Sequence, residues 1–262
     1  MTDKRPLEGK IALVTGATRG VGRELAFALA GAGADIAVLG RNFAEAEMTT
    51  SALAGFGRRA YAVSADVRDQ DRMEGVAQEV ARMLGPIDIL ICAAGISSQK
   101  HPIWLSDTAE FHTCFDTNVL GALLAMRAVL PQMIDRRTGR IVAIGGSYGH
   151  KGVAGFGVYS ASKWALRGLV KAAALDAAPF GVTVNTIAPG GIDGENLRER
   201  FRKSAASSGE TEEAVLRRFT ASSALGRLVE PADIAAAMLH LVGETGRMIT
   251  GQDIIVDAGT FI

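Results

Sequence analysis

Short apolar runs alternate with longer amphipathic stretches along most of this chain. The apolar runs fall at Ile11–Thr15, 35–39, 59–64, 87–91, 140–144, 182–187 and Asp253–Val256. Helix-like segments fall between them, at 44–56, 69–84, 107–134, 158–180 and Pro231–Val242. Strands that are apolar throughout, rather than at alternate positions, are buried on both faces. Helical crossovers between such strands imply a parallel sheet covered on both sides.

The expectation is therefore a single α/β domain over residues 1–262, a doubly wound Rossmann-type fold with seven parallel strands and helices on both faces. Neither a repeat nor a low-complexity tract interrupts the pattern. The one long irregular region, 189–226, mixes Arg, Glu, Ser and Gly and reads as a substrate-loop insertion with short helices. Loops of that length often act as lids. In a doubly wound sheet, ligands bind outside the carboxyl ends of the strands. That rule brings 16–22, 40–42, 66–67, 92–95, 145–149 and 188–191 to one edge.

The bulk numbers narrow the function classes. The 28 Lys and Arg balance 28 Asp and Glu, which argues against a nucleic-acid or anionic-membrane partner. No apolar run approaches the roughly 20 residues of a membrane span, and residues 1–6 lack the apolar core of a signal peptide. Cys92 and Cys114 form neither a disulfide framework nor a metal set, so no metal is expected and a cytoplasmic setting is the simplest reading.

The candidate chemistry starts at Thr15-Gly16-Ala17-Thr18-Arg19-Gly20-Val21-Gly22, between the first strand and a helical run. A glycine turn opening a helix cradles phosphate: the backbone approaches closely, and the helix N-terminus supplies free N–H groups and partial positive charge. The second strand ends Leu39-Gly40-Arg41-Asn42, where a carboxylate would bind the adenosine ribose of NAD. Arg41 and Arg19 offer guanidinium groups instead, which suit a 2′-phosphate and favour NADP(H) over NAD(H). A second signal is Tyr159-Ser160-Ala161-Ser162-Lys163. Tyr and Lys at i and i+4 share a helix face, and a nearby ammonium lowers a phenol's pKa, making it a usable proton donor.

The Thr-Gly-x-x-x-Gly-x-Gly spacing and the Tyr-x-x-x-Lys pair resemble the short-chain dehydrogenase/reductase family, over a match running from Gly9 to Gly259. That resemblance implies an oxidoreductase interconverting a carbonyl and a secondary alcohol on a small-molecule substrate. Tyr159 would transfer the proton, Lys163 would lower its pKa and contact the nicotinamide ribose, and Asn118 would hold a relay water. It implies that Asp66 and Val67 hold the adenine, that Cys92, Ala93 and Gly95 border the cofactor, and that Pro189, Gly190 and Ile192 position the nicotinamide. Substrate walls are expected at 96–105, 148–158 and 192–222. A homo-tetramer or homodimer is implied, with Ala165, Ala172, Ala173, Ala174 and Ala177 permitting close helix approach; packing within one subunit is the competing reading.

Three positions depart from the family pattern. Gly146 stands at the usual serine position, thirteen residues before Tyr159, and Ser147 follows one residue late. One residue reverses side-chain direction along an extended strand end. Three readings stay open: Ser147 substitutes, another donor such as Tyr148, His150 or the substrate serves, or the protein is a redox-neutral or redox-inactive dinucleotide binder. Cys92 replaces an asparagine, and Gly194 replaces a threonine that often contacts the carboxamide. A 3-oxoacyl-thioester reductase is the nearest alternative activity. Arg198, Arg200, Arg202 and Lys203, interleaved with Glu195 and Glu199, read as i,i+4 pairs on a solvated helix rather than an anion site.

Overall fold

The computed structural model describes residues 5–261. Its strands are β1 (Ile11–Thr15), β2 (Asp35–Gly40), β3 (Ala60–Ser64), β4 (Ile89–Cys92), β5 (Gly139–Ile144), β6 (Val182–Pro189) and β7 (Asp253–Val256). They form one parallel sheet in the order β3-β2-β1-β4-β5-β6-β7, with the order reversing between β1 and β4. The expected doubly wound sheet is thus present, and the reversal opens a crevice at the carboxyl edge. The helices are α1 (Gly20–Gly31), α2 (Phe43–Leu53), α3 (Gln70–Met83), α4 (Thr108–Phe115), α5 (Gly121–Asp135), α6 (Gly157–Ala177), α7 (Glu195–Ser208), α8 (Glu212–Thr220) and α9 (Pro231–Val242).

The period of two along each strand sends neighbours to opposite faces. Leu13, Leu39, Leu90 and Ile141 point to the layer built with α3, α5 and α6. Val14, Val38, Ile91 and Val142 point to the layer built with α1, α2 and α9. Both layers are closed to water, which is why the strands read as continuous apolar runs.

Two expectations change. The segment 107–134 is not one helix: a π-helical turn over Asp116–Leu120 separates α4 from α5. A π turn inserts one extra residue, re-aiming the side chains around it, and Asn118 becomes buried there. The whole run Thr108–Asp135 also has an 18-residue window of mean hydropathy 1.3, long and apolar enough to cross a membrane by length and composition. Here Leu124, Met126, Val129 and Met133 bury that character in the core.

The region 189–226 carries α7 and α8, which share a small core of Leu197, Phe201, Ala205 and Val215. Gly209, at φ +71°, turns the chain between them. The hairpin stands beside the carboxyl ends of β6 and β7, because Ala224 and Leu225 donate to the carbonyls of Gly259 and Ala258 and Asp193 bonds Val229.

Candidate active site

A cleft of about 420 Å³ runs along the carboxyl edge of the sheet. Its adenosine-side wall is the turn into α1. Gly16 sits at φ +68°, and a Cβ there would fall 2.7 Å from the Ala94 Cα. Only glycine permits both the conformation and that approach between the β1 and β4 loops. A Cβ at Gly22 would meet the Gly16 carbonyl oxygen at 2.3 Å, so turn and helix pack backbone on backbone. Arg19 begins α1 without a side-chain cap, and the first turn has no acidic residue. The leading N–H groups of α1 therefore remain available to a ligand, with the helix dipole behind them. This cradle fits a pyrophosphate.

The cleft brings together Gly16, Thr18, Arg19, Gly20, Val21, Gly22, Arg41, Asp66, Val67, Ala93, Gly95, Tyr159, Lys163, Pro189, Gly190 and Ile192. These come from the ends of five strands and from α6. Four expected residues do not line it. Asn42 caps α2, its side chain accepting from the N–H groups of Ala44 and Glu45. Cys92 is buried, and burial pushes its thiol up to about 12. The strand tie that the missing asparagine amide would make falls to Thr15: its hydroxyl accepts from the N–H groups of Ala93 and Ala94, both at 3.2 Å.

Asn118 lies just behind the lining. Its Oδ1 accepts from the Ile96 N–H at 2.8 Å, and its Nδ2 donates to the Ile96 carbonyl at 2.9 Å and the Ser162 hydroxyl at 3.0 Å. A Cβ at Gly95 would lie 3.2 Å from Asn118 Oδ1 and 3.6 Å from Lys163 Nζ, so both groups reach the same point of the β4 loop. Ser147 is buried and also off the lining. Its neighbour Gly146 is the one that faces the tyrosine: a Cβ at 146 would lie 3.3 Å from the Tyr159 hydroxyl. Direction, not distance along the chain, separates the two, because the strand end is still extended at Gly146 (φ 172°, ψ 149°).

Electrostatics correct one expectation. Burial pushes Tyr159 up to about 12 and Lys163 down to about 8. Lys163 Nζ donates to the Ile144 carbonyl at 3.0 Å and stands 5.6 Å from the Tyr159 ring centroid. In the free protein, desolvation dominates Tyr159, and the cation that draws it down is Arg200 rather than the ammonium at i+4.

Several lining residues escaped the sequence pattern. Arg68 grips Asp66, with its Nε and Nη2 at 3.0 and 2.7 Å from the carboxylate, and holds that carboxyl below its usual range. Asp66 therefore meets a ligand already engaged, and a third arginine stands at the adenosine end. Its signal was a charge two residues past Asp66. Thr113 and Thr117, at i and i+4 across the π turn, also line the cleft, whereas Ile96, Ser97 and Asn196 line it from the walls expected at 96–105 and 192–222. From the walls expected at 148–158, no residue does.

Comparison with known proteins agrees with this geometry. A family model described as short chain dehydrogenase matches residues 10–205. A 3-oxoacyl-[acyl-carrier-protein] reductase of Staphylococcus aureus is 33% identical over 257 residues, covering 97% of this chain and 98% of its own. The solved structure of an NAD+-bound xylitol dehydrogenase superposes with a TM-score of 0.90 at 29% identity, over 95% of this chain and 98% of its own. An actinorhodin polyketide ketoreductase with NADPH gives 0.90 at 30% identity, over 96% of this chain and 97% of its own. The chain belongs to the short-chain dehydrogenase/reductase family, oxidoreductases that bind a nicotinamide dinucleotide.

Proposed function

We propose that this protein is an NADP(H)-dependent oxidoreductase that interconverts a carbonyl and a secondary alcohol on a small, moderately apolar substrate. The observation that carries the reading is the convergence of Tyr159 and Lys163 with the uncapped N-terminus of α1 in one cleft. Arg19 and Arg41 line the cleft with Asp66, the one carboxylate of the lining, which is held by Arg68. Two guanidinium groups there support a 2′-phosphate, hence NADP(H).

When bound, the reduced dinucleotide supplies a hydride to the carbonyl carbon and is itself oxidised. Tyr159 gives its phenolic proton to the carbonyl oxygen, completing the alcohol; in the reverse direction it takes that proton back. A Tyr159 pushed up to about 12 stays protonated through neutral pH, ready for the reducing direction. Lys163, fixed by the Ile144 carbonyl, faces the ring and offsets the phenolate as it forms. Asn118 Oδ1 and Lys163 Nζ, converging beside Gly95, bracket a place for one water that returns the proton. Pro189, Gly190 and Ile192 hold the nicotinamide end.

The test is a screen of carbonyls and secondary alcohols, with acetoacetyl thioester among them, followed by the nicotinamide absorbance band. Turnover with NADPH that is lost in Tyr159→Phe supports the reading. Dinucleotide binding with no turnover across the screen overturns it in favour of a redox-inactive binder, for which Gly146 is the supporting feature. Preference for the thioester gives the 3-oxoacyl reductase activity instead.

For assembly, we infer a homodimer or homotetramer. Phe111, Leu120, Leu123, Trp164 and Leu175 stand exposed on α4, the π turn, α5 and α6. Ala174 and Ala177, by contrast, are buried in the subunit's own core. The reading places the protein in the cytoplasm, in keeping with two buried free thiols.

A further inference from the structure

The hairpin helix α7 carries four cations, and their partners differ. Arg198 pairs with Asp193 at 2.7 Å, Arg202 with Glu195, and Lys203 with Glu199 at 2.6 Å. Only the last is the expected i,i+4 pair. Arg200 has no carboxylate partner among the described residues. Its guanidinium lies instead over the Phe156 ring, 5.2 Å from the centroid. Phe156 stands edge-on to Tyr148 at 5.5 Å, and Tyr148 edge-on to Tyr159 at 5.9 Å. A chain of ring contacts, through the buried Phe156, thus links the proton donor to an unneutralised cation. Asn196, one turn before Arg200 on the same helix face, lines the cleft. That face of α7 is therefore turned towards the reacting end. Arg200 also sits near enough to Tyr159 to draw its titration down, against the larger upward push of burial.

A guanidinium held over an aromatic face by its charge still has N–H groups to donate elsewhere. Those donors form a fork that matches carboxylate and phosphate oxygens.

We propose that Arg200 anchors an anionic group of the substrate: the site takes a carbonyl compound or secondary alcohol that ends in a carboxylate or phosphate. The proposal rests on the oxidoreductase reading above and gives that reading a substrate class.

The test uses unreactive probes on the full chain with NADP+ present: benzoate, phenyl phosphate and neutral benzamide, titrated calorimetrically. At least one anion binds about tenfold or more tightly than benzamide, and the tighter one tells carboxylate from phosphate. Arg200→Gln weakens that anion about tenfold to a hundredfold, the range for a charge-assisted contact, with NADP+ affinity unchanged. Arg200→Lys, keeping the charge but not the fork, retains part of the preference. Equal binding of anions and benzamide, or a preference that survives Arg200→Gln, overturns the proposal. Loss of NADP+ binding in Arg200→Gln also overturns it, by assigning the cation to the cofactor. Arg200-dependent anion binding in a protein that reduces no carbonyl fails the oxidoreductase reading and leaves the anion anchor standing.

Discussion

A side chain at Gly146 would begin 3.3 Å from the hydroxyl of Tyr159. The backbone there is extended, at φ 172°, so a side chain costs no backbone strain, although at that distance the Tyr159 hydroxyl must give by a few tenths of an ångström. Gly146→Ser therefore adds a hydroxyl beside the proton donor, where the substrate oxygen must lie. A donor of this kind is worth about 10²–10³ in rate, and we expect at least about a tenfold rise in kcat, measured with NADPH and the best substrate of the screen. Gly146→Ala adds the crowding without the donor and brings no rise. A Gly146→Ser variant no faster than wild type means that another donor already fills the role.

Ser147 supplies the companion experiment. It is buried and off the cleft lining, so Ser147→Ala should leave kcat within about twofold, since no donor to the substrate oxygen is lost. A drop approaching the range for a lost oxyanion donor would restore Ser147 to the catalytic set.

How much of this was legible beforehand differs from residue to residue. The bounds of β1, β7 and α9 follow directly from apolar runs with turn residues at both ends. The Gly16–Gly22 turn and the Tyr159–Lys163 pair are local patterns, and local patterns survive folding. The π turn at Asp116–Leu120 was hidden because the apolar period continues through it, yet it brings Asn118 to Ile96, twenty-two positions away. The low pKa expected for Tyr159 failed for a related reason: spacing shows that two groups share a helix face, not how dry that face becomes. The lone state of Arg200 could have been read earlier. Its i±4 neighbours are Asn196 and Ser204, neither of them acidic.

The arginines at the adenosine end are testable by cofactor discrimination. Arg19→Ala with Arg41→Ala removes the two cleft-lining cations that the NADP(H) reading assigns to a 2′-phosphate. Each charge-assisted contact is worth about 1.5–3 kcal/mol, so NADP(H) affinity should fall about a hundredfold or more while NAD(H) affinity changes little. Fluorescence titration of both cofactors decides it, and the NADP(H) affinity of wild type should weaken with salt. A wild type that binds NAD(H) more tightly defeats the assignment.

Lys163 couples function to stability through burial. Its pKa is brought down to about 8 from an ordinary 10.5. Below pH 8 the folded protein holds a buried ammonium that the unfolded chain would hydrate, and the destabilisation is at its fullest. Between pH 8 and 10.5 the unfolded state binds more protons than the folded one, so stability rises with pH across that window. Lys163→Met removes the amine. It should gain stability over wild type below pH 8, by about 1–3 kcal/mol after the lost bond to the Ile144 carbonyl offsets part of the relief, and the gain should vanish towards pH 10.5. Thermal unfolding of both proteins across that range, with turnover abolished in the variant, checks it. A constant difference at all pH values would show that the ammonium is hydrated after all.

The exposed face of α6 offers a test that separates assembly from folding. Trp164 is 49% and Leu175 78% exposed in the single subunit, on the outer side of the helix that carries Tyr159 and Lys163 on its inner side. The proposed assembly covers apolar residues at such positions with a partner surface. Leu175→Glu should therefore cost an isolated subunit less than about 0.5 kcal/mol, as surface substitutions do, yet convert a dimer or tetramer to a smaller species. The carboxylate that Leu175→Glu introduces cannot stay charged inside a closed contact without a partner of its own. Sedimentation velocity reads the change in mass directly, and circular dichroism confirms the retained fold. If Leu175→Glu keeps the wild-type mass, this face of α6 lies outside the assembly contact. If the smaller species also loses turnover, packing across α6 supports the placement of Tyr159.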